Sequence, residues 1–127
     1  MSRLEIQPFA DEHVDAAAGL LGERHRAHRE AEPLLPDVRD FRSYVEEARQ
    51  AAGASGWVAL DGREPVGYLI GSPRGDVWGE GNVWVELAGH AAREPEVIRD
   101  LYGGAAGAWV DQGLTRHYAI VPATDRA

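Results

Sequence analysis

The chain has 127 residues, 44% of them hydrophobic, which fits one domain with a core of its own and excludes a disordered segment. With no cysteine, it cannot build thiolate metal sites, a cysteine nucleophile or a disulfide framework. Its 13 basic residues, all arginine, stand against 21 acidic ones, and the resulting charge of −8 argues against a nucleic-acid or anionic-membrane surface. No apolar run reaches membrane length and Ser2–Phe9 alternates polar with apolar residues, so a cytoplasmic protein without a signal peptide is expected.

Leu4, Ile6 and Pro8 alternate with polar residues, as a first strand would. Asp11 then stands where a helix cap belongs, ahead of an apolar stripe of Val14, Ala17, Ala18 and Leu21. That helix is expected to run to about Glu30, with Pro33 and Pro36 closing it. A second helix is expected after Asp37, burying Phe41, Tyr44, Val45 and Ala48 and ending at Gly53–Gly56. Trp57–Leu60 and Val66–Ile70 read as two strands, and Asp61-Gly62 between them is a strong hairpin signal. Ser72–Asn82 reads as a loop.

The stretch from Val83 to Val121 carries the most information. It reads as a strand (Val83–Ala88), a short turn (Gly89–Glu96), a helix opened by Pro95, and a last strand (His117–Val121). The helix is expected to bury Ile98, Tyr102, Ala105 and Trp109 and to stop at Gly113. A strand feeding a helix N-terminus is a common phosphate site, because free backbone N–H groups and the positive helix end face the anion. The order β-α-α-β-β-β-α-β is a mixed α/β sheet, a meander that switches into one βαβ crossover.

This order resembles that of the GCN5-related N-acetyltransferases, whose fold is the acyl-CoA N-acyltransferase fold. The resemblance rests on Leu4-Glu5-Ile6-Gln7-Pro8, on Gly67-Tyr68-Leu69-Ile70-Gly71 and on Val83–Val121. It covers the whole chain as the first two-thirds or so of such a fold, lacking the last helix and two strands, which would begin near Thr124. On that reading, residues 1–127 are a single truncated acetyltransferase-like domain.

The resemblance implies acetyl-CoA in a V-shaped opening between the fourth and fifth strands. Its pyrophosphate would sit at the helix N-terminus, on a loop of the form Gln/Arg-x-x-Gly-x-Gly/Ala. A glutamate, here Glu86, would act as general base for an attacking amine. Backbone amides of Leu87, Ala88 and Gly89 would hold the thioester and pantetheine, and Arg93 would open the phosphate loop. The rest of the loop departs from the pattern, with Glu96 and Ile98 in place of the small residues and Pro95 lacking an N–H. Losing two or three charge-assisted hydrogen bonds, at roughly 1.5–3 kcal/mol each, weakens binding about a thousandfold or more. The tyrosine that commonly protonates the thiolate in this family has no matching position.

Other groups admit two readings each. His25 and His28, spaced i,i+3, could join Glu32, His90 or His117 around a metal, or line a helix end among Arg24, Arg26 and Arg29. Those arginines oppose a cation, and no metal is assigned. They could attract an anionic ligand or simply complement the helix dipole. Trp57, Tyr68, Trp84 and Trp109 could line a pocket or fill the core. Gly103, Gly104 and Gly107 suggest close approach of their helix to the sheet or to another chain.

Two functions are therefore expected to compete: an N-acetyltransferase or a lobe of one, and a non-catalytic module for dimerisation or small-molecule binding. An open edge on the last strand calls for a partner, either a homodimer mate or a downstream acetyltransferase domain.

Overall fold

The computed structural model describes residues 4–31, 33–34, 40–74 and 81–120. A sheet lies between two helical layers. β1 (Leu4–Pro8) pairs antiparallel with β2 (Ser55–Asp61), and β2 pairs antiparallel with β3 (Glu64–Gly71). Pro8 lies on an edge strand, where a missing N–H leaves no ladder bond unmade. In the β2–β3 hairpin Asp61 stands opposite Glu64, and Gly62 takes φ +66°, the left-handed value that a tight turn asks of glycine.

Beyond β3, Ser72 exchanges two backbone hydrogen bonds with Trp84, 2.8 and 2.9 Å long, which tie on β4 (Asn82–Val85). Asn82 fixes the approach to β4 by bonding the N–H and the carbonyl of Arg74 through its amide. β4 pairs in parallel with β6 (Arg116–Ala119), after α3 (Pro95–Asp111) has made the crossover. The expected single strand Val83–Ala88 is broken. It leaves β6 after Val85, makes one 3-10 turn (Leu87–Gly89), and resumes as β5 (His90–Ala92), which pairs antiparallel with β3. Residues expected in a turn are thus strand, because Gly89 brings the chain back onto β3. A Cβ there would sit 2.7 Å from the Ile70 carbonyl oxygen.

α1 (Val14–Ala31) and α2 (Phe41–Gln50) cover one face, burying Val14, Ala17, Leu20, Leu21 and Val45 against Tyr68, Ile70 and Ala91. α1 begins later than expected. Asp11 opens a 3-10 turn (Asp11–His13) and pairs with Arg49 at 2.5 Å, and the His13 Nδ1 accepts the Ala10 N–H. Asp37, after which the second helix is expected, lies outside the described residues, as do Glu32, Pro36 and Val121. Asp40 caps α2 instead, accepting from the Ser43 N–H and hydroxyl, which hold its carboxyl below the usual range. α2 ends at Gln50, and Gly56 belongs to β2.

α3 covers the other face. Its buried stripe is Val97, Leu101, Ala105 and Trp109, one position off the expected Ile98 and Tyr102, and Tyr102 is exposed. The glycines that permit close packing lie in the sheet, not in the helix. At Gly103 and Gly107 a Cβ would meet nothing within 4 Å, and at Gly104 only Ile6 at 3.5 Å. At Gly67 it would run into Val97, and at Gly71 it would sit 2.6 Å from Val83 and 2.8 Å from the Trp109 indole. Trp109 is fixed further by Nε1 donating to Ser55 Oγ (2.8 Å) and by its edge contact with Trp57. Tyr44, expected on the buried face of α2, is also exposed.

Gly71→Ala should therefore destabilise the fold by about 1–3 kcal/mol, because its neighbours Val83 and Trp109 are buried and rigid. Urea unfolding would show this as a lower midpoint at unchanged slope.

Candidate functional site

The break in the fourth strand sets the site. β4 and β6 run side by side as far as the bond from the Ile120 N–H to the Val85 carbonyl (3.0 Å). Past that point β5 follows β3, so the chain after Glu86 diverges from β6. A wedge opens between β5 and the end of β6, and carbonyls of the 3-10 turn and of β5 point toward it or toward α1. Buried backbone carbonyls need donors.

Arg24, from the second half of α1, supplies most of them. Its Nη2 donates to Leu87 O at 2.6 Å and its Nη1 to His90 O at 2.5 Å. Nη1 also lies 3.2 Å from His90 Nδ1, which accepts, so the ring proton is on Nε2. That Nε2 donates to Ile120 O at 2.9 Å, across the wedge. Tyr68 completes the set, its hydroxyl donating to Ala88 O at 2.6 Å. Burial pushes the Tyr68 phenol far above its ordinary pKa, against a smaller opposing pull from Arg24, so it serves only as a donor. One chain of hydrogen bonds thus joins α1, the turn, β5 and the end of β6.

Of the residues expected to bind the cofactor, Leu87, Ala88 and Gly89 lie at the wedge and Arg93 lies just past β5. Leu87 and Ala88 give their carbonyls to Arg24 and Tyr68, and the Gly89 N–H donates to Glu86 O at 2.8 Å. Glu86, just past the end of β4, is 39% exposed and paired with Arg74. Arg93 donates to Glu64 of the β2–β3 hairpin at 2.8 Å and lies 3.8 Å from Glu23 of α1. Both carboxylates hold its guanidinium more firmly protonated. At the start of α3, Pro95 has no N–H, the Val97 N–H turns back to Glu94 O at 3.1 Å, and Glu94 and Glu96 are exposed.

The histidines are spread across the fold. His25 packs at a tilt against Phe41, and His117 bonds Tyr102 Oη at 2.8 Å and Leu114 O at 2.7 Å. Among the described residues no group of three His, Asp or Glu side chains converges as a metal would require. Trp109 and Tyr68 are core, as one of their two readings had it, while Trp57 and Trp84 are half-buried. Among the same residues, no helix is long and apolar enough to cross a membrane. A separate cleft of about 370 Å³ is lined by Phe9, Arg49, Trp57 and Ile70.

The sequence reading missed Arg24 and His90 as partners. Both residues were noticed, but nothing in their spacing of 66 positions links them. The tie exists only because β5 turns back under α1.

No family model and no curated sequence matches the chain. Solved structures do match. The aminoglycoside N-acetyltransferase AAC(6')-Iy in complex with CoA aligns over 97% of this chain and 80% of its own, at 20% identity and a TM-score of 0.63. The ribosomal-protein-alanine N-acetyltransferase of Brucella melitensis biovar Abortus 2308 aligns over 95% and 82%, at 18% identity and a TM-score of 0.68. The fold is that of the GCN5-related N-acetyltransferases.

A mutant of the BH1408 protein of Bacillus halodurans reaches a TM-score of 0.73 at 13% identity, covering 96% of this chain and 85% of its own. The chain therefore spans 80–85% of these structures, more than the two-thirds its element order suggests. At the wedge between β5 and β6, where the resemblance expects acyl-CoA, Arg24 and His90 engage the carbonyls of Leu87, His90 and Ile120, and the helix start carries Pro95, Glu94 and Glu96.

Arg24→Ala should cost roughly 1–3 kcal/mol, most of it at the part-buried His90 carbonyl, since water can reach the exposed Leu87 carbonyl. Arg24→Lys should recover under half of that, since one ammonium cannot span both carbonyls as a planar fork does. Hydrogen exchange of Leu87–Ala91 in both variants, read by NMR, reports the loosening locally.

Proposed function

We propose that the chain is an acetyltransferase-fold lobe that carries no acetyl transfer of its own and works as a packing module. Its partner is a second copy or a downstream acetyltransferase domain set against the β6 edge. The observation that supports this reading is the chain of bonds from Arg24 through His90 to Ile120, which spans the wedge where the resemblance expects a cofactor. The occupied Arg93 and the Pro95 helix start support it from the phosphate end.

A second reading is acetyl transfer from acetyl-CoA to an amine, with Glu86 as base and Leu87, Ala88, Gly89 and Arg93 at the cofactor. What favours it is the shared fold with AAC(6')-Iy, a structure that holds CoA, and the position of Glu86 at the end of β4. Acting on it would require Arg93 to leave Glu64 and Arg74 to leave Glu86. It would also require Arg24 to give up two carbonyls.

Calorimetric titration with acetyl-CoA separates the two. The module reading expects no binding heat at millimolar ligand. A one-to-one complex tighter than about 100 μM, roughly 5.5 kcal/mol of binding free energy, would overturn it in favour of the enzyme.

A further inference from the structure

We propose that the cleft where β1 parts from β2 binds a small carboxylate with an aromatic body. The inference goes beyond the module reading, and no residue lining the cleft belongs to the Arg24–His90 network. Phe9 is tied to β2 by its N–H, which donates to Gly56 O at 2.9 Å, and the chain then turns off at Asp11. The departure leaves about 370 Å³ beside Ser55 and Trp57, bordered by Arg49 from the last turn of α2. Small-molecule sites start at about 300 Å³, so a ligand built on one ring has the right size.

Two of the walls are aromatic and held in place. Phe9 meets His13 and Tyr68 edge-on, at ring distances of 5.7 and 6.0 Å. Trp57 meets the buried Trp109 in the same way at 5.4 Å, and Ile70 beside them is buried. Walls already fixed by their neighbours take up a flat ring without first having to be ordered.

The polar side chains lining the cleft are donors without acceptors. Arg49, 28% exposed, lays its guanidinium over the Phe9 ring at 5.1 Å. Its ion pair with Asp11 uses Nη1 alone, so Nε and Nη2 have no acceptor among the described residues. Ser55 Oγ accepts from Trp109 Nε1, which leaves the hydroxyl proton without an acceptor there, and the Trp57 indole N–H is in the same position. No carboxylate or amide side chain lines the cleft. A carboxylate supplies only acceptors and takes two parallel bonds from one arginine fork. It would share Arg49 with Asp11 rather than displace it, since the Asp11 side chain is 98% exposed and sits outside the lining.

Titration of the whole chain with benzoate, followed by NMR, tests this. Shifts should centre on Arg49, Ser55, Gly56 and the Trp57 indole, and saturate with a dissociation constant on the order of 1 mM. Benzyl alcohol keeps the ring without the charge, while acetate and inorganic phosphate keep a charge without the ring. Each should bind at least about tenfold more weakly. Arg49→Gln should weaken benzoate about tenfold or more, and Asp11→Asn, which removes a competing carboxylate, should tighten it about twofold to fivefold. Should Arg49→Gln fail to fold, the comparison of ligands still decides. Benzyl alcohol matching benzoate, shifts centred on the wedge, or no saturation by about 10 mM overturns the proposal.

Discussion

The structure depends on satisfying the backbone between Val85 and His90. Up to Val85 the chain has β6 on one side, and from His90 it has β3. In between, a 3-10 turn closes one bond internally, from the Gly89 N–H to Glu86 O, and leaves three carbonyls to be met from outside the ladder. Leaving a buried carbonyl unmet costs about 1–3 kcal/mol, a large part of the net stability of a domain this size. Arg24 and Tyr68 meet them. Their placement then constrains the rest: α1 must bring Arg24 over β5, and β3 must present Tyr68 on the α1 side, which puts Gly67, Leu69 and Gly71 on the α3 side.

That alternation in β3 explains how the two helical layers fit. Tyr68 and Ile70 belong to the core under α1 and α2, and Leu69 to the core under α3. With glycine on either side of Leu69, α3 descends far enough for Val97 and Trp109 to fill the space a side chain would take. The buried Trp109 is then held from both ends of the sheet, by Ser55 and by His117.

Much of the architecture was legible because it follows from local chemistry. The hairpin at Asp61-Gly62, the proline start of α3 and the positive-φ glycine at Gly113 each specify one geometry. The break in the fourth strand was not legible. Val83 to Ala88 alternates as any strand does, and the cause of the break is a contact of Gly89 with β3, nineteen positions upstream at Ile70. The α3 stripe was misjudged by one position because Val97 and Ile98 are equally apolar, and only the gap left by Gly67 selects Val97. At the site, the unsuitable helix start was visible in Glu94, Pro95 and Glu96. The engagement of Arg24, His90 and Arg93 was not, since each partner is distant in sequence.

The electrostatics of the slot point the same way as its hydrogen bonds. A diphosphate at a helix start needs free N–H groups and a cation with no better partner. Here the one arginine in the expected place, Arg93, ties the β2–β3 hairpin to the edge of α1 through Glu64 and Glu23. Two exposed carboxylates, the N-cap Glu94 and Glu96 in the first turn, already complement the helix dipole. An incoming anion would have to displace one carboxylate pair and approach two further negative charges. Inside the slot a neutral ligand would have to replace a bidentate arginine that is part of the fold. At both ends, arginines that could meet a ligand are bonded within the fold: Arg24 to Leu87 and His90, and Arg93 to Glu64.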